Sequence, residues 1–167
     1  MHELAITVIG PDRPGIVADV AEALAGVGAN LTDSTMTRLR GHFAMTLICT
    51  GTGLEAAETA LAPLEGVTTA VRRVEPEAEA ADAGEPWLVS VHGADRLGIV
   101  AAVTRVVAAE GGNITDLSTR LVGTLYVLIA EVDLPGGVSD ELAERLAVAG
   151  AELGVDVTLR QAESEIL

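Results

Sequence analysis

Several things are scarce in this sequence, and each scarcity excludes something. Cys49 is the only cysteine among 167 residues, so an internal disulfide framework is impossible. Aromatic residues make up only 2%, so a core must be built from Val, Leu, Ile and Ala, which the 49% apolar content supplies. No run of about 18 or more apolar residues is free of charge, so no membrane span is expected. The opening MHELAITVIG lacks the basic stretch and cleavage pattern of a secretory signal. The expectation is a cytoplasmic protein without membrane contact.

Lysine is absent. Ten Arg stand against 25 acidic residues, for a net charge of −15. The acidity is even, −8 over residues 1–85 and −7 over 86–167. The densest basic spots are Arg38/Arg40 and Arg72/Arg73, and no further basic or stacking aromatic residues extend them. Nucleic-acid binding draws on clustered positive charge that displaces counterions. No direct nucleic-acid contact is therefore expected.

Histidine is scarce too. His2, His42 and His92 form no metal-ligand spacing. His92 reads as a polar strand-end residue, or as a ligand contact if the second repeat described below binds differently. Cys49 alternates with Leu47 and Met45, which reads as a core position rather than a nucleophile. The Ser residues have no recognisable base partner or nucleophile elbow. Neither cofactor, metal nor catalysis is expected.

What is present is present twice. GPDRPGIVADV (10–20) returns as GADRLGIVAAV (93–103) after a shift of 83 positions. Further on, Ala25, Gly28, Asn30, Thr32 and Asp33 fall on Ala108, Gly111, Asn113, Thr115 and Asp116. A one-residue deletion then brings Gly41 onto Gly123. This is a duplication. The halves span 1–74 and 87–161. EPEAEAADAGEP (75–86), acidic and bracketed by Pro76 and Pro86, reads as a linker, and 162–167 as a tail.

Each half has one element order. Leu4, Ile6 and Val8 alternate as in a half-buried strand over 3–9. From Ile16 the period changes, and Ile16, Val17, Val20, Leu24 and Val27 line one helix face, ended by Gly26 and Gly28. Residues 30–40 and 42–50 are rich in β-branched residues and read as a hairpin. Leu54, Ala57, Leu61 and Leu64 mark a second helix, stopped at Gly66 before a strand over 67–74. The second half repeats this as strand 87–92, helix 97–110, hairpin 113–134, helix 138–150 and strand 155–160. The fold class is α+β: two ferredoxin-like βαββαβ modules in tandem.

The repeated turn predicts a binding chemistry. The first amides of a helix lack intrahelical acceptors, and the helix dipole adds partial positive charge, so an anion is attracted there. Gly15 and Gly98 carry no side chain to obstruct approach. Pro14 suits a first helical turn, and Leu97 replaces it in the second repeat. Asp12 and Asp95 stand where N-cap residues would. An acid beside an anion-attracting helix start also suits a ligand carrying both charges, such as a free amino acid. Asn30 and Asn113 follow helix-ending glycines. They are either turn residues tolerant of positive φ or ligand contacts whose amides donate and accept.

DRPGIVADVAEALAGVGANLTD and DRLGIVAAVTRVVAAEGGNITD resemble the signature of ACT domains, and the resemblance covers nearly the whole chain outside the linker. It implies regulatory modules that bind amino acids where modules pair. Among stand-alone pairs, the chain resembles the glycine cleavage system transcriptional repressor group. That implies action on a DNA-binding activator protein in response to glycine. Carried over by position, the effector site would be Asp12, Arg13, Pro14, Gly15, Ile16 and Asn30, with Asp95, Arg96, Leu97, Gly98, Ile99 and Asn113 as its counterpart. The resulting expectation is a non-catalytic amino-acid-binding regulator, a homodimer with a protein partner such as a transcription factor. The competing expectation is a ligand-independent interaction module whose turns only start helices.

Overall fold

The computed structural model describes residues 2–78 and 84–163. The chain divides into two compact units, 1–79 and 80–167. The first contains β1 (Glu3–Pro11), α1 (Ile16–Ala25), β2 (Asn30–Leu39), β3 (His42–Thr50), α2 (Leu54–Leu61) and β4 (Thr68–Val74). The second contains β5 (Glu85–Ala94), α3 (Ile99–Ala109), β6 (Asn113–Val122), β7 (Leu125–Leu134), α4 (Ser139–Leu153) and β8 (Val155–Gln161). Both are βαββαβ, with antiparallel sheets ordered β2-β3-β1-β4 and β6-β7-β5-β8.

The periods in the sequence explain the burial. On β1, Leu4, Ile6 and Val8 point into the core while Thr7 and Ile9 face outward. On α1, Ile16, Val20 and Leu24 form the buried stripe. Phe43, Met45, Leu47 and Cys49 of β3 and Ala57 and Leu61 of α2 complete the first core. The second core repeats it with Val89, Val91, Ile99, Val103, Leu128 and Leu142 among its members. Burying each such aliphatic side chain contributes roughly 1.5–3 kcal/mol. No polar or charged residue is buried among the described residues. Leu64 lies past the end of α2, yet it packs on the first core.

The expected one-residue deletion in the second hairpin is not there. Both edge strands have ten residues and both turns have two. The registers match through a shared bulge: Leu31↔Cys49 then Asp33↔Ile48, and Ile114↔Val132 then Asp116↔Glu131. At each bulge a threonine hydroxyl crosses to the partner strand, Thr32 to the Ile48 carbonyl and Thr115 to the Glu131 carbonyl, both at 3.3 Å. The shift of 83 therefore holds throughout the hairpin, and only the glycine has moved within the turn. Arg40 and Gly41 both have positive φ (49° and 80°), whereas Gly123 alone does so in the second turn, at 62°. Two-residue hairpin turns accept either pattern.

The linker is shorter than expected on its far side. Glu85 and Pro86, assigned to it, pair with Leu134 and Asp133. Proline is tolerated at the start of a strand, where its missing N–H breaks no interior ladder. Ala162, assigned to the tail, donates its N–H to the Pro86 carbonyl at 3.0 Å. Residues 79–83 of the linker and 164–167 of the tail lie outside the described residues.

Candidate functional site

In each unit the central strand delivers a short turn to the start of the first helix. Gly10 precedes the first turn because β1 runs close to the chain entering β4: a Cβ there would sit 2.5 Å from the Gly66 carbonyl oxygen. Gly93 answers to Val155, whose Cγ1 would lie 2.9 Å from such a Cβ. The Asp12 N–H donates to the Gly41 carbonyl at 2.9 Å, which ties the turn to the hairpin tip.

The turn itself differs from the sequence reading. Gly15 has φ 84° and ψ −1°, and the Ile16 N–H reaches the Arg13 carbonyl at 3.4 Å. This is a type II turn with glycine at its third position, and Pro14 occupies the second, where proline is favoured. Pro14 thus precedes the helix rather than standing in its first turn. Gly98 has the same conformation, φ 91° and ψ 5°. Leu97, in the place of Pro14, is fully exposed at 101%.

Asp12 and Asp95 are not N-caps. The cap positions belong to Gly15 and Gly98, and neither helix start has a side-chain cap hydrogen bond. The first helical bonds run from the Asp19 N–H to the Gly15 carbonyl and from the Ala102 N–H to the Gly98 carbonyl, both 2.9 Å. The amides of Val17, Ala18, Val100 and Ala101 precede those bonds and lack intrahelical acceptors. Ile16 and Ile99 are buried in the cores, so only their backbones can face a ligand. A Cβ added at Gly15 or Gly98 would have nothing within 4 Å, so the space above both turns is open.

The charged residues are used differently in the two units. Asp12 lies 3.6 Å from Arg38, and Arg13 forms a 2.7 Å ion pair with Asp19. The positions 83 residues on hold Leu121 and Ala102, so neither contact recurs. Arg96 instead donates to the Leu153 carbonyl at 3.0 Å, at the end of α4. Among the described residues no ion pair forms on Asp95. These partners were invisible in the motif, because Arg38 is placed by hairpin register and Leu153 by the last turn of α4.

The asparagines are elsewhere. Asn30 pairs with Thr50 and Pro11 with His42, eight residues apart along β3, or roughly 27 Å at ~3.4 Å per residue. Asn113 and the Asp95 turn are separated in the same way along β7. Within one unit, turn and asparagine cannot hold the same small ligand. Both asparagines are exposed and open an edge strand. Asn113 also lines an open groove of about 720 Å³ beside α3, with Ala101, Arg105 and Ala108. His92 Nε2 lies 3.3 Å from Asp156 Oδ2 of the neighbouring strand β8. Among the described residues no group of three His, Cys, Asp or Glu side chains is placed to hold a metal, and no helix is long and apolar enough to cross a membrane.

Comparison with known proteins agrees with this architecture. A UPF0237 protein of Methanopyrus kandleri is 44% identical over 75 residues, covering 44% of this chain and 83% of that protein. The glycine cleavage system transcriptional repressor of Escherichia coli is 28% identical over 125 residues, covering 71% of this chain and 65% of the repressor. A protein of unknown function from Galdieria sulphuraria has a crystal structure with TM-score 0.81 and 30% identity, covering 97% of this chain and 99% of that one. A candidate glycine cleavage system transcriptional repressor shares the fold at TM-score 0.68 and 20% identity, over 98% of both chains. The ACT domain family model matches residues 2–69 and 85–160. Two βαββαβ units, each with a glycine turn at the start of its first helix, and this match over most of the sequence lead to one conclusion: the chain belongs to the ACT domain family.

Proposed function

We propose that the chain is a non-catalytic regulator that binds a small amino acid at its strand-to-helix turns and acts through a protein partner. The observation that carries this reading is the repeated turn. In each unit an aspartate stands three residues before a left-handed glycine, which leaves open space at a helix start whose first amides lack intrahelical acceptors. The amides and the dipole attract a carboxylate, and the aspartate attracts an ammonium. Glycine and serine are the first effectors to test, given the relation to the glycine cleavage repressor.

The distance between turn and asparagine bears on assembly. A ligand held by both would take its turn from one unit and its asparagine from another, whether in the same chain or in a second copy within the proposed homodimer. The competing reading, a ligand-independent interaction module, is favoured by one fact: Asp12 and Arg13 already have partners within their own unit.

A thermal-shift screen against the twenty amino acids separates the two. A ligand at about 100 times its dissociation constant adds about 2.7 kcal/mol of stability. A shift with one or two small amino acids supports the regulator and names its effector. A flat screen at millimolar concentrations rejects it in favour of the interaction module.

A further inference from the structure

We propose that the groove between α3 and α4 docks a basic amphipathic helix of a partner protein. The two helix pairs differ at this place. In the first unit α2 ends at its second core residue, Leu61. In the second, α4 continues seven residues past the corresponding core residue, Leu146, and ends at Leu153. Gly150 seats this extension on β8, since a Cβ there would lie 2.8 Å from both the Val155 carbonyl oxygen and Val157 Cγ2. Beside the core stripe of α4 runs a second stripe, Glu141, Glu144, Val148 and Glu152, at helical spacing. With Val106 of α3 it lines a groove of about 440 Å³.

The floor of this groove is aliphatic and its rim is acidic. Val148 is 60% exposed and so is available to an occupant. Arg145, the one cation on the rim, is already engaged, 2.9 Å from Glu110 and 3.5 Å from Glu141. Glu144 and Glu152 have no ion-pair partner among the described residues. An occupant must therefore offer small aliphatic side chains to Val106 and Val148, and positive charge on both flanks. The side-chain rows on the surface of α4 can accept a further helix by ridges-into-grooves packing. A second copy of this acidic chain lacks the flanking charge. The inference does not depend on the effector turns, because neither turn lines the groove.

The test uses the full chain and a fluorescein-labelled synthetic helix with an Ala/Leu stripe flanked by Arg, together with a scrambled peptide of the same composition. Fluorescence anisotropy without any amino acid should show the amphipathic peptide binding at least tenfold more tightly than the scrambled one. Val148→Gln should reduce that binding at least fivefold without changing net charge, and the Glu144→Gln/Glu152→Gln pair should do the same and flatten its salt dependence. Both sites are exposed, and circular dichroism checks that the variants fold. Equal binding of the two peptides overturns the proposal, because general acidity then explains the attraction. So does preferential binding that either variant leaves unchanged. Sedimentation of the protein alone gives the last arm: if Val148→Gln alters self-association, the occupant is a second copy and the proposal is wrong.

Discussion

Asp12 Oδ2 lies 3.6 Å from Arg38 Nη1, while Leu121 holds the corresponding position in the second unit. The two units share a backbone turn and differ in what neutralises its carboxylate. In the first, an arginine on the edge strand β2 competes with any incoming ammonium. In the second, the nearest arginine in sequence, Arg120, donates instead to the Thr119 carbonyl at 2.8 Å. The Asp12–Arg38 contact is itself weak, since exposed pairs contribute about 0–1 kcal/mol, but it acts where a ligand would bind.

This asymmetry predicts unequal sites. Asp95→Asn should weaken amino-acid binding by about tenfold, equivalent to about 1.4 kcal/mol, and Asp12→Asn by less. Arg38→Ala should strengthen binding at the first turn. Isothermal titration of the single variants with the effector found in the screen measures each effect. Equal losses for the two aspartates would refute the asymmetry.

The glycines of the turns make a separate prediction. Gly15→Ala forces a side chain into a left-handed conformation, at a cost of about 1–2 kcal/mol, and puts a methyl group into the open space at the turn. It should lower stability modestly and abolish the ligand-induced shift from that unit. Gly10→Ala meets a carbonyl 2.5 Å away instead, which costs about 1–3 kcal/mol of strain. Urea denaturation with and without effector distinguishes a variant that loses stability alone from one that also loses the ligand.

The element order and both cores were legible in the sequence, because a period of two and a period near 3.6 announce themselves in Leu4/Ile6/Val8 and Ile16/Val20/Leu24. The repeated turn was legible as a motif, but not its geometry. Asp12 looked like a cap because aspartate before an apolar run usually is one. Only the left-handed φ of Gly15 shows that the helix starts three residues later. The hairpin register is hidden for a similar reason: glycine holds the second place of one turn, at Gly41, and the first place of the other, at Gly123, and a two-residue turn tolerates either. The separation of Asn30 from Asp12 follows from strand direction, which no local pattern encodes.

Cys49 predicts a pH dependence. Burial in the first core pushes its thiol pKa up. The folded protein therefore holds this proton more tightly than the unfolded chain, which loses it near the ordinary thiol value of ~8.5. The contribution is complete below that value and is lost as pH rises through the thiol range. Cys49→Ala should remove this alkaline slope while costing about 1 kcal/mol, as for one buried heavy atom. Urea midpoints between pH 7 and pH 10 would show it, and identical slopes in the two proteins would exclude Cys49 as the cause.

The placement of aromatics allows the two cores to be followed apart. Trp87 and Tyr126 pack against the second core, whereas Phe43 is the aromatic residue of the first. Tryptophan fluorescence therefore reports the second unit, and far-ultraviolet circular dichroism reports both. Phe43 is fully buried, so Phe43→Ala should cost about 3–5 kcal/mol in the first unit. The circular dichroism transition should then split or broaden toward lower urea while the fluorescence midpoint stays near its original value, since the substitution leaves the second core untouched. Leu142→Ala in the second core should do the opposite and move the fluorescence midpoint. If Phe43→Ala moved both signals together by the same amount, the two cores would be unfolding as one cooperative system.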